Sequence, residues 1–247
     1  MLYFSNLFFK ENRWFKSCII LFFSIFTIIL LYRNTAFQMV KLWTVSDTYA
    51  HGFIVPFISL WLIWRARPFW IERDPQPSLI ALLLIFIFSL FWLLGDLVAI
   101  NAVTQLSFVT MIALCIPAVV GWKISSVITF PIAFLFFAVP IGDLLLPAMM
   151  NLTADFTVVA LRLTGIPVYR EGLQFVIPSG RWSVVEACSG IRYLLASLTV
   201  GSLFAYLNYK SVYKRLAFFA FAIIVPLVAN WLRAYMIVLI GHYSGNE

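Results

Sequence analysis

Long apolar stretches follow one another along this chain, and the short segments between them hold most of its charge. The hydrocarbon core of a bilayer is roughly 30 Å thick, so about 20 residues of helix are enough to cross it. The chain therefore reads as a polytopic membrane protein. With 63% hydrophobic and 11% charged residues and a mean hydropathy of +0.99, it lacks the polar exterior of a soluble globular domain. Its net charge of +7 sits in clusters between apolar runs, which marks it as a topology signal and not a nucleic-acid surface.

Lys10, Arg13 and Lys16 precede the run Ser17–Tyr32 and assign the N-terminus to the cytoplasm. Arg33–His51 reads as a semi-polar outer loop. A second span, about Gly52–Trp64, ends at Arg65, Arg67 and Arg73, which belong inside. Pro75 and Pro77 make a turn before a third span, Ser78–Leu94, that exits at Asp96; a fourth, about Val98–Gly121, returns to Lys123. The fifth, Ile124–Val139, stops at Pro140, Gly142 and Asp143.

Leu144–Leu163 carries Asn151, Asp155 and Arg162 and is expected to be an interfacial or re-entrant amphipathic helix. The sixth span starts near Tyr193 and descends to Lys210, Lys214 and Arg215, and the seventh starts near Leu216 with Pro226 as a kink. The expected fold is an all-α polytopic membrane protein of about seven transmembrane helices plus that interfacial helix, in a single domain over 1–247. The first apolar run has no small-residue cleavage site after it, so no leader is expected to be removed.

From Gly165 to Ala187 the pattern changes. Leu173–Pro178 and Arg181–Val185 are short runs rich in β-branched and aromatic residues, split by Pro178-Ser179-Gly180, and they predict a small hairpin on the outer surface. The hairpin leads into Val184–Arg192, which gathers Glu186, Cys188, Ser189 and Arg192 just before an apolar helix. A thiol at a helix start faces free N–H groups and the positive dipole end, which favour the nucleophilic thiolate. Cys188 is thus either a nucleophile or a small packing residue. Cys18 and Cys115 lie inside apolar segments as packing residues, and three cysteines with two histidines make neither a disulfide framework nor a metal site.

Arg233 falls near the depth predicted for Cys188, since it lies about 27 Å along the seventh helix from its basic start. It is either a functional cation or an arginine snorkelling to headgroups. His242 is nine residues further on, which on an unbroken helix places it on the opposite face, so a shared site needs a break at Gly241, with Gly245 as a second candidate. A thiolate, a proton-transferring histidine and an oxyanion-stabilising arginine together suit acyl transfer through a thioester. Glu186 and Arg192 pair with each other or with Arg233, or support the turn.

These residues resemble a known family. Glu186-Ala-Cys188-Ser-Gly-Ile-Arg192, the Asn230-x-x-Arg233 element and Gly241-His242 are similar to the three signature regions of the exosortase/archaeosortase family. Trp43 followed by Asp47-Thr-Tyr-Ala-His51-Gly-Phe-Ile-Val-Pro56 resembles the N-terminal element of bacterial exosortases, most of all the exosortase A type. The resemblance implies an integral-membrane cysteine protease or transpeptidase, with Cys188, Arg233 and His242 as its catalytic residues. Glu186, Ser189, Gly190, Arg192, Asn230 and His51 would be supporting residues. The implied partners are membrane-anchored proteins with a C-terminal PEP-CTERM-type signal, made of a Pro-Glu-Pro-like motif, a transmembrane helix and a basic tail.

The resemblance further implies the inner membrane of a Gram-negative bacterium, a periplasm-facing site and an association with exopolysaccharide. The sequence carries no metal or nucleotide motif, and no cofactor or nucleic-acid partner is expected. Family members continue past the histidine into another membrane helix, whereas this chain stops at Glu247, five residues on, so it is expected to be a truncated form. Two other classes stay open. A transporter would line a polar path with Asp155, Arg162 and Arg233, although the chain lacks inverted-repeat symmetry. An exopolysaccharide assembly factor would use the cysteine only structurally.

Overall fold

A computed structural model describes the backbone of residues 2–244 and the side chains of residues 13–244. The chain forms two compact units, Met1–Pro140 and Ile141–Glu247. Among the described residues, four helices are long and apolar enough to cross a membrane: Arg13–Leu31, Leu79–Leu97, Asn101–Val120 and Val212–Tyr243. Val55–Arg65 and Thr129–Ala138 are apolar but shorter, and both lie where spans were expected.

In the first unit, α1 (Leu2–Leu31) is followed by α2 (Arg33–Val45), α3 (Val55–Arg65) and the single turn α4 (Arg67–Trp70). The segment read as an outer loop is thus largely helical. Its polar residues Arg33, Asn34, Gln38 and Lys41 interrupt any apolar run, yet Thr35, Ala36, Met39 and Trp43 line one face and pack into the unit's core. Helix α5 (Leu79–Leu97) is capped by Ser78, whose hydroxyl accepts from the Ala81 N–H at 3.3 Å. It pairs with α6 (Asn101–Val120), the most deeply buried of the candidate spans.

The last carbonyls of α6 are met by the loop before α5: the N–H groups of Gln76 and Ser78 donate to Val120 and Ala118. Phe108, Val109, Met111 and Cys115 from α6 join Ile28 and Met39 in one core cluster, and Ile116, Val119 and Val120 join Ala66, Ile124 and Ile128 in another. Between helices in lipid the apolar faces have no net drive to associate, so directional contacts matter more. Trp92 Nε1 donating to Thr35 Oγ1 at 3.0 Å is one such contact, of a kind worth on average about 0.6 kcal/mol.

The expected span Ile124–Val139 is broken into α7 (Trp122–Ser125), α8 (Thr129–Phe134) and a 3-10 turn, Leu135–Ala138. Pro131 explains part of this: in the first turn of α8 its missing N–H costs nothing, but a helix running through it would lose a bond and clash.

The second unit opens with α9 (Leu146–Leu163), whose buried residues Met149, Thr153, Ala154, Thr157, Val158 and Leu161 fall on one face, as the amphipathic reading requires. The predicted hairpin is present and gains a strand. β1 (Tyr169–Glu171), β2 (Gln174–Ile177) and β3 (Gly180–Ser183) form a three-stranded antiparallel sheet in that order. Phe175 opposes Trp182, and along β2 the buried Phe175 and Ile177 alternate with exposed Gln174 and Val176. The buried face packs on α9 residues Ala154, Val158 and Leu161 and on Val238.

Helix α10 (Ile191–Asn208) and helix α11 (Val212–Tyr243) pack closely, and a Cβ on Gly201 would lie 2.7 Å from the Ala222 Cβ. With 32 residues, α11 is about 48 Å long, well beyond the hydrocarbon thickness. It runs through Pro226 and also through Gly241, so the expected break at Gly241 does not occur. A single glycine lowers helix propensity by only about 1 kcal/mol, which a long packed helix absorbs. Gly245 lies outside the described residues.

Candidate active site

The cysteine sits at a sharp corner between sheet and helix. After β3, Glu186–Cys188 makes one 3-10 turn, closed by the Cys188 N–H on Val185 O at 2.8 Å and the Ser189 N–H on Glu186 O at 3.0 Å. Gly190 then adopts φ +79°, a left-handed conformation that lets the chain change direction into α10. Ser189 is buried and its Oγ accepts from the Ile191 N–H at 3.3 Å. Cys188 therefore stands in its own turn ahead of α10, not in the helix's first turn as the sequence suggested. Its side chain is half-buried against the cluster that includes Val184, Phe175 and Val238.

What holds the corner is Asn230 on α11. Its Nδ2 donates to the Cys188 carbonyl at 2.8 Å and lies 3.4 Å from Thr153 Oγ1 on α9, in a position only 3% exposed. The amide lies so close to the corner that a Cβ at Gly190 would come within 2.7 Å of Asn230 Cγ. Three elements thus meet around one amide. Arg233, one turn further along α11, donates from Nη1 to the Tyr193 hydroxyl at 3.3 Å, and its guanidinium carbon lies 5.7 Å from the centre of that ring. The arginine is exposed and stands beside the first turn of α10.

His242 is placed differently. Its Nδ1 is 2.9 Å from Ser179 Oγ, in the turn between β2 and β3, and its ring meets Tyr243 edge-on at 5.3 Å. On the continuous α11 it is on the face opposite Arg233, and about 18 Å along the axis from Asn230. Glu186 and Arg192 are exposed, and Glu186 makes no ion pair among the described residues. An ion pair joins Arg170 on β1 to Asp155 on α9, tying sheet to helix.

In the first unit His51 has a structural setting. Its Nε2–H donates to Phe137 O at 3.1 Å, and Trp43 Nε1 donates to Ala138 O at 3.0 Å, so the two rings hold consecutive carbonyls of the 3-10 turn. Gly52 lies under the indole, where a Cβ would come within 2.3 Å of Trp43 Nε1. Burial holds the His51 imidazole below the usual histidine range, against its bonds to the Phe137 and Thr48 main chains. Thr153, Tyr193 and Ser179 are partners that the sequence did not reveal, because a single hydroxyl carries no spacing signal.

Several helices fit to cross a bilayer mark a multi-pass membrane protein, and its second unit holds a cysteine corner bonded to an asparagine with an arginine one turn further along α11. The model of the transmembrane exosortase (Exosortase_EpsH) family matches residues 43–247, beginning at Trp43, and the chain belongs to that family. No curated protein and no solved structure matches it. Family membership indicates a membrane transpeptidase or sorting role, since exosortases are generally cysteine transpeptidases. Among the described residues no group of three or more His, Cys, Asp and Glu side chains is arranged to hold a metal ion.

Proposed function

We propose that this chain is a cysteine protease/transpeptidase of the bacterial inner membrane, open to the periplasm, that removes C-terminal PEP-CTERM-type signals from membrane-anchored proteins whose sorting is linked to exopolysaccharide. The single observation that supports this best is the Asn230 amide bonded to the Cys188 carbonyl, with Arg233 one turn away. A nucleophile has to be presented in one fixed pose, and a buried amide from a different helix supplies that constraint.

In the proposed reaction the Cys188 thiolate attacks the carbonyl carbon at the cleavage site. The carbonyl π electrons move to oxygen, where the Arg233 guanidinium stabilises the charge through N–H donors. The C–N bond breaks, the leaving amine takes a proton, and a thioester on Cys188 remains. An acceptor amine or water then releases it and restores the thiol. His242 is the acid/base of this scheme. For this role it has to leave Ser179 and approach Cys188, which requires the C-terminal turns of α11 to unwind.

The test is co-expression with a reporter that ends in a PEP-CTERM signal, followed on a gel for loss of its C-terminal helix. Cleavage is expected with the native chain and absent with Cys188→Ala and His242→Ala. Continued cleavage by Cys188→Ala would overturn the reading and favour a host protease, with this chain as a transporter or assembly factor.

A further inference from the structure

The first unit has a polar pocket and an apolar groove that meet at Ser126. The pocket, about 330 Å³, is lined by Arg73, Asp74, Gln76, Lys123, Ile124 and Ser126. Arg73 Nη1 donates to the Lys123 main-chain carbonyl at 2.9 Å, which fixes the guanidinium beside α7. Asp74 is matched by Arg13 at 3.8 Å, so the pocket keeps a positive balance. Arg65 ends α3 and Arg67 opens α4, and this is the end of the unit that the charge rule assigns to the cytoplasmic leaflet.

The groove, about 420 Å³, runs between α6 and α8, with Leu114, Pro117, Ile132 and Ala133 among its walls. Hydroxyl residues that line it bond back to their own chain segment. Thr110 Oγ1 donates to Leu106 O at 2.7 Å, Ser125 Oγ to Gly121 O at 2.9 Å and Thr129 Oγ1 to Ser126 O at 3.0 Å, so each spends its proton on its own backbone. Trp122, exposed and donating to Ser78 Oγ at 2.9 Å, lines the groove next to Lys123 in the chain, as an interfacial tryptophan does.

We propose that pocket and groove together form one binding site for an anionic phospholipid, with the phosphate at Arg73 and Lys123 and an acyl chain along the groove. A soluble phosphate would use the cations and leave the groove unfilled. A zwitterionic lipid would fill the groove, but its own ammonium would offset the phosphate charge and weaken the match to the cations. An anionic diacyl lipid satisfies both, and each juxtamembrane cation is worth about a fivefold gain in affinity for it.

The experiment titrates the full chain in detergent with phosphatidylglycerol, phosphatidylcholine and glycerol phosphate, and reads bound lipid by native mass spectrometry and the melting temperature. Phosphatidylglycerol is expected to bind and raise the melting temperature more than phosphatidylcholine, with glycerol phosphate giving no shift. Lys123→Gln is expected to weaken phosphatidylglycerol about fivefold, Lys123→Arg to restore it, and Ala133→Trp, at an exposed groove position, to weaken both lipids. Equal binding of the two lipids, an unchanged Lys123→Gln, or a glycerol phosphate shift as large as that of phosphatidylglycerol would each overturn the proposal. Lys123 and Ala133 are exposed, so these variants test the site without removing the Arg73 bond to the Lys123 carbonyl.

Discussion

The side-chain amide of Asn230 donates to the main-chain carbonyl of Cys188 at 2.8 Å, joining two residues 42 positions apart. Through that bond α11 sets the pose of the cysteine corner, and Gly190 is the residue that makes room for it.

Asn230→Ala leaves the Cys188 carbonyl without its partner, at an expected cost of about 1–3 kcal/mol. Gly190→Ala forces a left-handed φ on a residue with a Cβ, which costs about 1–2 kcal/mol before any clash with Asn230. The Asn230 Cβ itself would stand 2.9 Å from the new methyl, so combining the two changes relieves only part of the overlap. Melting temperatures of the two single variants and the double variant should therefore be sub-additive. Full additivity would mean that the corner and α11 are not coupled as described.

Arg233 carries both a charge and a planar fork of donors, and Tyr193 steers it. Reporter cleavage by Arg233→Gln should fall about 10²–10³-fold in kcat with KM little changed, the pattern of a group that acts on the developing oxyanion. Arg233→Lys should recover only a small part, because a point charge does not reproduce the fork. Tyr193→Phe keeps the ring and loses the hydroxyl, and its loss should stay within about tenfold. If Arg233→Gln instead raises KM alone, the arginine binds substrate without stabilising the transition state.

His51 links stability to pH. Its imidazole is held below the usual histidine range, so the unfolded chain, near pKa 6.5, takes up the proton first. Stability should fall as pH drops below about 6.5 and the loss should be complete once pH passes below the folded value. His51→Gln keeps an N–H for Phe137 O but does not titrate, so its melting temperature in detergent should change less between about pH 7.5 and about pH 5.5. Equal acid sensitivity in both proteins would remove His51 from the account.

Much of this arrangement was readable in the sequence because it rests on periodicity and on rare residue types. The apolar runs at Ser78–Leu94 and Val98–Gly121 became α5 and α6, and the β-branched runs on either side of Pro178 became β2 and β3. The cysteine corner showed itself as polar residues crowded before an apolar helix. α2 was hidden because four polar residues broke its run while its packing face stayed intact. β1 was hidden because Tyr169–Glu171 has only three residues and no alternation to read. The unbroken end of α11 shows a different limit, since whether a glycine ends a helix depends on what the following turn packs against. The hydroxyl partners Tyr193, Thr153 and Ser179 became visible only once the chain was folded.

The most direct test of a thiol at the centre of this protein is to trap the acyl-enzyme. The purified chain, incubated with a matched reporter and quenched in acid, is read by intact mass and peptide mapping. The expected result is an adduct on Cys188 with the mass of the reporter's N-terminal fragment, released by hydroxylamine, absent from Cys188→Ala and not found on Cys18 or Cys115. Cleavage without any adduct, unchanged in Cys188→Ala, would contradict the assignment of Cys188 as the nucleophile.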